Sequence, residues 1–501
     1  MKKSVWFVWI MVSFIALNTA CSSKVTGDFE TKEKTQKHLD DVINVAFPIF
    51  DSVPKDMPEV EAALNQITER KIHAKVKLLP INFGIWIQKT NLMLTSDEDL
   101  DLLVVAGSSN YNDLVEKEQL LPIDGILQKY GRDILNSMDL AYLNACKIHG
   151  QIYGVPSIRD LAADYGITMR KDLLDKYHLN IRNIHTLDDV EFLLKTIHAK
   201  EPDIAPIMPA AISFVDTYFQ STFDPLGDSI GVLPNFDNQL IVVDLYETPE
   251  YAAFLNRIRK WYTSGFVLKD AATTKESRYN LVNGNRVFSY TAYMKPGYQE
   301  QETRSSGLPM IAVNLTKPVA TTSNVTNFLW SIPRKSRSPK KTMEFLNLMY
   351  SDKNIVNLLD WGIEGKDFVK LSDHVIDYPP GVSPTNVGYN LDEAWLFGNE
   401  FLSYVFNGDN ENIWNQLKDF NRTAYKSKAL GFTFDPSSVK TEETAVANII
   451  SQYKPGLETG TLDPANKLPE FISKIKAAGI DKIIKEKQTQ LDAWAAAKQA
   501  K

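Results

Sequence analysis

Residues able to do chemistry are present in this chain, but their spacing does not arrange them for it. Seven histidines (38, 73, 149, 178, 185, 198 and 374) are scattered, and none stands four residues from another. Zinc chemistry of the H-E-x-x-H kind needs two imidazoles on one helix face, so it is ruled out. No Gly-x-Gly-x-x-Gly turn and no phosphate-binding P-loop occurs. Asp360 and Glu364 could serve as the acid and base of a glycosidase. A spacing of four on one local segment, however, does not set two carboxylates on opposite sides of a bond. Asp97, Glu98, Asp99 and Asp101 read as a solvated run at a helix end. Residues 407–412 (NGDNEN) lack the glycine a calcium loop carries at its sixth position, and read as a turn. The chain is not expected to be an enzyme, and neither a cofactor nor a metal is expected.

Two cysteines occur, Cys21 and Cys146, and Cys21 is placed for a reaction. Met1, Lys2 and Lys3 make a short cationic start, and residues 5–17 (VWFVWIMVSFIAL) are apolar apart from Ser13. That run is shorter than the roughly 20 residues a spanning helix needs, so a cleaved signal is expected. Asn18, Thr19 and Ala20 then lead into Cys21. The segment resembles a lipobox, whose cysteine thiol takes up diacylglycerol and becomes the new N-terminus. Asn18 stands where leucine is usual, with Leu17 one residue earlier. Acyl chains contribute about 0.8 kcal/mol per buried CH2, enough together for a stable anchor. With Cys21 acylated, Cys146 has no disulfide partner. Residues 22–38 (SSKVTGDFETKEKTQKH) are too polar to bury a core and read as a mobile tether.

At 501 residues the chain exceeds one ordinary domain. A hydrophobic share of 44% and a charged share of 23% are those of a globular protein. The net charge of -7 has no basic block behind it, which argues against nucleic acid as a partner. The elements that must position any site follow from periodicity. Residues 42–47 (VINVAF) read as a buried strand, 56–69 as a helix, 75–79 as a strand, 86–94 as a helix and 101–106 as a strand. This β-α-β-α-β order implies a parallel sheet covered by helices. Further strands are expected over 165–170 and 287–290, and helices over 171–177, 187–199, 248–264 and 339–350. One or two docked helices are expected over 468–496.

In this order the segments resemble extracellular solute-binding lipoproteins of ABC importers, of the large sugar-binding type. The likeness rests on residues 101–107 (DLLVVAG), 120–127 (LLPIDGIL) and 152–177 (IYGVPSIRDLAADYGITMRKDLLDKY). It also rests on residues 279–293 (YNLVNGNRVFSYTAY) and 338–368, and it covers essentially the whole mature chain. It implies an α/β, two-lobed periplasmic-binding-protein-like fold of type II, with hinge strands and a helical C-terminal extension. The expected organisation is signal peptide 1–20, tether 21–41, lobe 1 over 42–157 and 317–352, and lobe 2 over 158–316 and 353–501. The implied function is capture of an oligosaccharide between the lobes and delivery to the permease subunits of an ABC importer. The protein would act as a monomer, lipid-anchored through Cys21 at the outer face of the cell membrane. A peptide ligand on the same fold, or a tethered glycan-active enzyme, are the alternatives.

A sugar cleft needs flat aromatic faces and hydrogen-bonding groups, and ligands sit beyond the carboxyl ends of strands. On that basis Ser108 and Ser109, after the strand 102–106, are candidate donors. Arg159 and Asp160 follow Val155-Pro156 and read either as ligand contacts or as an ion pair between lobes. Tyr290 and Tyr293 are candidate stacking rings, Tyr293 the stronger. Trp361 with Glu364, and Trp395 with Asn399, are aromatic-plus-polar clusters, and Trp395 is preferred. Phe47 and Asp51 are weaker candidates, and Trp86 reads as core.

Overall fold

The computed structural model describes residues 41–236 and 239–499. The signal peptide, Cys21 and all but the last residue of the tether lie outside the described residues. Two sheets organise the rest. Their strands are β1 (Asp41–Ile49), β2 (Ala74–Asn82), β3 (Leu102–Ala106), β4 (Gly154–Pro156), β5 (Asp164–Arg170), β6 (Ala205–Pro209), β7 (Val287–Met294), β8 (Met310–Asn314) and β9 (Phe328–Ser331).

The first sheet has the order β2-β1-β3-β9-β4. β1 pairs in parallel with β2 from Asp41↔Ala74 to Ile49↔Asn82, and with β3 at Val45↔Leu102. Those strands are the expected parallel core. β9 then enters antiparallel to both β3 and β4, so the sheet is mixed. The helix Met57–Ile72 starts with Pro58 in its first turn, where a missing N–H costs nothing, and ends at His73 in the left-handed conformation. Its buried stripe of Val60, Leu64 and Ile72 covers the sheet.

The second sheet has the order β8-β5-β7-β6. β5 and β7 are antiparallel (Thr291↔Ile167), and β6 joins in parallel at Ser289↔Ile207. Gly166 has a specific reason to be glycine: a Cβ there would sit 2.1 Å from the Val313 carbonyl oxygen across the β5–β8 pair. The helix Pro249–Thr263 is capped by the Thr248 side chain and buries Tyr251, Leu255, Ile258 and Trp261 in the core of the same lobe.

Two separate hydrophobic cores result, one per lobe. The first takes residues from 43–162, 320–359 and 389–430; the second takes 167–310 and 429–491, and Trp361, Phe368, Ile376 and Tyr404 form a small cluster of their own. The division differs from the expected one beyond residue 352. The helix Lys353–Trp361 stays in lobe 1, because Ile355 and Leu359 pack into the first core. Tyr389, Leu396, Phe397 and Phe420 do likewise, and the chain enters lobe 2 for good only near Ala429.

Three segments therefore cross between the lobes, and they lie side by side. Ala163 and Val319 exchange backbone hydrogen bonds of 2.9 and 2.8 Å, Tyr425 N–H donates to Pro318 O, and Ser427 N–H donates to Ala320 O. Asn421 clamps the first crossing from both sides, donating to Arg159 O and accepting from Leu161 N–H. The C-terminal helices Lys440–Glu458, Pro464–Ala478 and Ile480–Gln499 cover lobe 2. Phe471 meets Tyr246 and Tyr453 at 4.9 and 5.3 Å between ring centroids. Lys487, fully buried, is held by Asp228 at 2.5 Å and by the Ile230 carbonyl at 2.6 Å. A buried cation needs such partners to be tolerated.

Candidate interlobe binding cleft

A cavity of about 800 Å3 opens beside the hinge, and a second of about 420 Å3 shares Arg159, Asp160 and Lys295 with it. Such volumes are in the range of ligand sites. Lobe 2 supplies Lys295, at the end of β7, and the helix Tyr298–Ser306. Gly297 makes the turn between them at φ 78°, a conformation glycine adopts freely. Lobe 1 supplies irregular chain between residues 378 and 410, the end of the helix Lys353–Trp361, and the start of the helix Ile413–Thr423.

Arg159 and Asp160 stand at the junction of the two cavities. The Arg159 guanidinium donates to the Asp160 carbonyl at 2.7 Å, to its carboxylate at 3.4 Å, and to the Asn324 carbonyl at 3.3 Å. Lys295 Nζ lies 3.7 Å from the same carboxylate. Burial pulls the Lys295 pKa down, but Asp160 and Glu400 outweigh it and hold the ammonium above its ordinary value. Across the cleft mouth Arg304 pairs with Asp409.

The aromatic surface is richest in lobe 1. Trp395 is half-buried and meets Phe328 at 5.1 Å and Phe50 at 5.8 Å; Phe50 in turn stacks on Phe83 at 4.8 Å. Phe50 and Phe83 directly follow the carboxyl ends of β1 and β2, and both are more than one-third exposed. Trp361 presents an edge to the cavity, but most of its ring is buried. Its indole N–H donates to Ser403 Oγ at 2.9 Å, and Ser403 donates to Asp360 at 2.6 Å. In the smaller cavity Tyr293 is 41% exposed, with its ring 4.9 Å from Tyr165 and its hydroxyl donating to Gln220.

Several expected contacts lie elsewhere. Tyr290 is fully buried in lobe 2, its hydroxyl donating to Glu302 at 2.5 Å. Three residues along one strand place two side chains on opposite faces, so Tyr290 and Tyr293 cannot share a surface. Glu364 is exposed and ion-paired with Lys370 at 2.6 Å, outside both cavities. Asn399 accepts from Phe401 N–H and caps the short turn Glu400–Leu402, which holds Glu400 in the cleft. Ser108 and Ser109 start the helix Ser108–Glu116 and line a separate cavity of about 70 Å3, where Ser108 bonds Thr326 at 2.7 Å. Phe47 and Trp86 are core.

Tyr378, Tyr404, Phe406 and Trp414, all lining the cavity, were not picked out from sequence. For the first three the signal is aromatic residues interleaved with Asp, Asn and Pro in a stretch without helical periodicity, while Trp414 opens an amphipathic helix, Ile413–Thr423. One motif also escaped the sequence reading. Residues 227–231 (GDSIG) fit the Gly-x-Ser-x-Gly pattern of hydrolase nucleophiles, and Ser229 has φ 61°. An active elbow joins a strand to a helix. Here the segment is irregular chain between the two-residue strands Phe223–Asp224 and Leu233–Pro234, and Asp228 is tied to Lys487.

The larger cavity is acidic. Asp160, Glu300, Asp360, Asp392, Glu400 and Asp409 face it with Arg159, Lys295 and Arg304. Burial pushes Glu400 up to about 7, with Lys295 opposing and Asp160 reinforcing the shift. Burial likewise raises Asp392 to about 6, against the pull of Arg304. Asp360, deeper still, is raised well above the carboxylate range by burial and by Asp392. Just behind, Glu393 is raised to about 8 by burial, against the Phe50 N–H that bonds it.

Two lobes, two cores and a cleft at a three-segment hinge define the architecture of type II solute-binding proteins. The chain is 27% identical to the carbohydrate ABC transporter substrate-binding protein of Streptococcus pneumoniae over 98% of both chains. It is 24% identical to lipoprotein LipO of Bacillus subtilis, over 73% of this chain and 74% of that protein. Among solved structures, the N-glycan transport solute-binding protein NgtS of S. pneumoniae superposes with a TM-score of 0.81 at 24% identity, covering 91% of this chain and all of that one. The same protein in complex with Man5GlcNAc superposes with a TM-score of 0.72. A family described as a domain of unknown function (DUF3502) matches residues 428–496. That stretch begins at the third crossing and takes in the three C-terminal helices.

Proposed function

We propose that the protein is the substrate-binding component of an ABC importer, capturing an oligosaccharide between its lobes and presenting it to the membrane permease. The observation that carries this reading is the cleft itself. Its walls come from different lobes, it meets the hinge at Arg159 and Asp160, and it combines half-exposed aromatic rings with hydrogen-bonding side chains. Rings of that kind take the apolar faces of pyranoses while carboxylates and amides take hydroxyls. Trp395, Tyr293, Arg159 and Asp160 are the proposed ligand contacts, with Trp361 contributing an edge. Closing the lobes around a ligand gives the permease a surface that differs from the open form. The ligands held by NgtS in its complexes, Man1GlcNAc and Man5GlcNAc, favour a glycan over a peptide here. Lipidation at Cys21 would keep the protein at the outer face of the membrane, and the protein would bind without altering its ligand.

The test is a thermal-shift panel of oligosaccharides and peptides on the purified chain, followed by mass spectrometry of the ligand. Ligand at 100 times its Kd stabilises the folded state by about 2.7 kcal/mol. A sugar that raises Tm and is recovered intact supports the reading. Turnover, or a response to peptides alone, overturns it. Mass spectrometry of the mature N-terminus decides the anchor separately: an unmodified Cys21 removes it.

A further inference from the structure

The charges in the cleft are unevenly committed, and that narrows the ligand class. Arg159 gives its two terminal nitrogens to Asp160 and the Asn324 carbonyl while its Nε is buried without a partner, Lys295 faces Asp160, and Arg304 is paired with Asp409. The smaller cavity adds no cation beyond the shared Arg159 and Lys295. Sites for anionic ligands present a free arginine fork or an unopposed helix N-terminus. Here the helix Tyr298–Ser306 carries Glu300 in its own first turn, and Asp409 stands just ahead of the helix Ile413–Thr423. The first of these helix ends is answered by its own carboxylate, and six carboxylates face the larger cavity against three cations.

Glu400 stands differently. It is 9% exposed, and its Oε2 is buried with no hydrogen-bond partner. Its place is fixed by its backbone N–H, which donates to Ile158 O at 3.0 Å, and by the Asn399 cap. A buried carboxylate oxygen left unpaired is costly, and a donor arriving with the ligand removes that cost.

Resting on the oligosaccharide reading above, we infer that the cleft takes uncharged oligosaccharides and turns away those bearing uronate, sialate or sulfate groups, with Glu400 reading a ligand hydroxyl. The groups facing Glu400 are Lys295, Asp160, Arg159 and Asp392. With its pKa near 7, Glu400 is partly protonated at neutral pH and both donates and accepts. Raising the pH charges it, so rejection of acidic glycans sharpens from pH 6 to pH 8.

Calorimetric titration of the full chain tests this. Neutral manno-, malto- and chito-oligosaccharides would be compared with the same sugars oxidised at their primary alcohols to carboxylates. A bound neutral sugar is expected to lose at least about tenfold in affinity when oxidised, at pH 7.5, as an added like charge in a partly desolvated site demands. Glu400→Gln should shrink that ratio several-fold. Should that variant fold poorly, salt supplies a second measurement on the native chain: screening a repulsion strengthens binding of the acidic sugar, whereas screening an attraction weakens it. Equal or tighter binding of the oxidised sugars, or affinity for them that falls with salt, overturns the inference while leaving the oligosaccharide reading in place. No binding by either set overturns both.

Discussion

Glu302 and Glu400 are both buried carboxylates beside a cation, yet one belongs to the interior of lobe 2 and the other to the cleft. Glu302 is fully buried, and its two oxygens accept from the Arg278 guanidinium and from the hydroxyls of Tyr279 and Tyr290. Every lone pair that matters is answered from within the same lobe, so the network is complete without a ligand. Glu400 has its backbone fixed by the hinge but leaves a carboxylate oxygen unanswered. The difference separates a charge kept for structure from a charge kept in waiting: burial alone does not make a site, but burial with an unmet bond on a cavity wall points to one.

That contrast can be broken most forcefully at Glu302. Glu302→Ala leaves Arg278 without its counter-ion inside lobe 2 and is expected to cost about 3–5 kcal/mol, read as a large fall in Tm by calorimetry. If stability holds, the network is not what completes that lobe. Next in size, Trp395→Ala should weaken oligosaccharide binding by about tenfold or more through loss of a stacking face, with a smaller change in the Tm of the unliganded chain. A loss of Tm without a loss of affinity would make Trp395 a core residue only.

The acid side of the contrast is sharpened by pH. Glu393, Glu400 and Asp392 have pKa values of about 8, 7 and 6 in the folded chain, all above ordinary carboxylates. The folded state therefore binds protons that the unfolded state has released between about pH 4 and 8. The stability they contribute is complete below the unfolded pKa and lost as pH rises through 6 to 8. Tm is expected to be higher at pH 5.5 than at pH 8. Glu393→Gln should flatten that slope and gain about 1–2 kcal/mol at pH 8; an unchanged slope would show that Glu393 does not titrate there. The smallest effect is expected at Ser109→Ala, where stability should change by less than about 0.5 kcal/mol and ligand affinity not at all. A drop in affinity would return that serine to the site.

Most of lobe 1 is legible from sequence because its signals are local. The apolar run in β1, the helix with Val60 and Leu64, and the run in β3 all appear at the expected places. β6, β8 and β9 are not legible, because each takes its identity from neighbours far along the chain rather than from a local apolar run like that of β3. The lobe boundary after residue 352 fails for the same reason: only tertiary packing assigns the helix Lys353–Trp361 to the first core. In the candidate site, the hinge context points to Arg159 and Asp160, the end of a strand to Tyr293, and an aromatic-plus-polar cluster to Trp395, and all four line one or both cavities. Tyr290 is not separable from Tyr293 without knowing which face of β7 is buried. Glu400, with an unmet bond on the cavity wall, is unremarkable in sequence, since nothing local records which carboxylates folding will desolvate.

Crossing the hinge three times has a topological consequence. An odd number of passages leaves the two ends of the described chain on different bodies, Asp41 in the strand β1 of one lobe and Gln499 in the last helix of the other. Labels near those two positions would move apart or together with every opening and closing, while two labels on either lobe alone would stay at a constant separation. Lobe closure of the kind proposed would thus be readable by energy transfer between the two ends of the described chain, without a label inside the cleft.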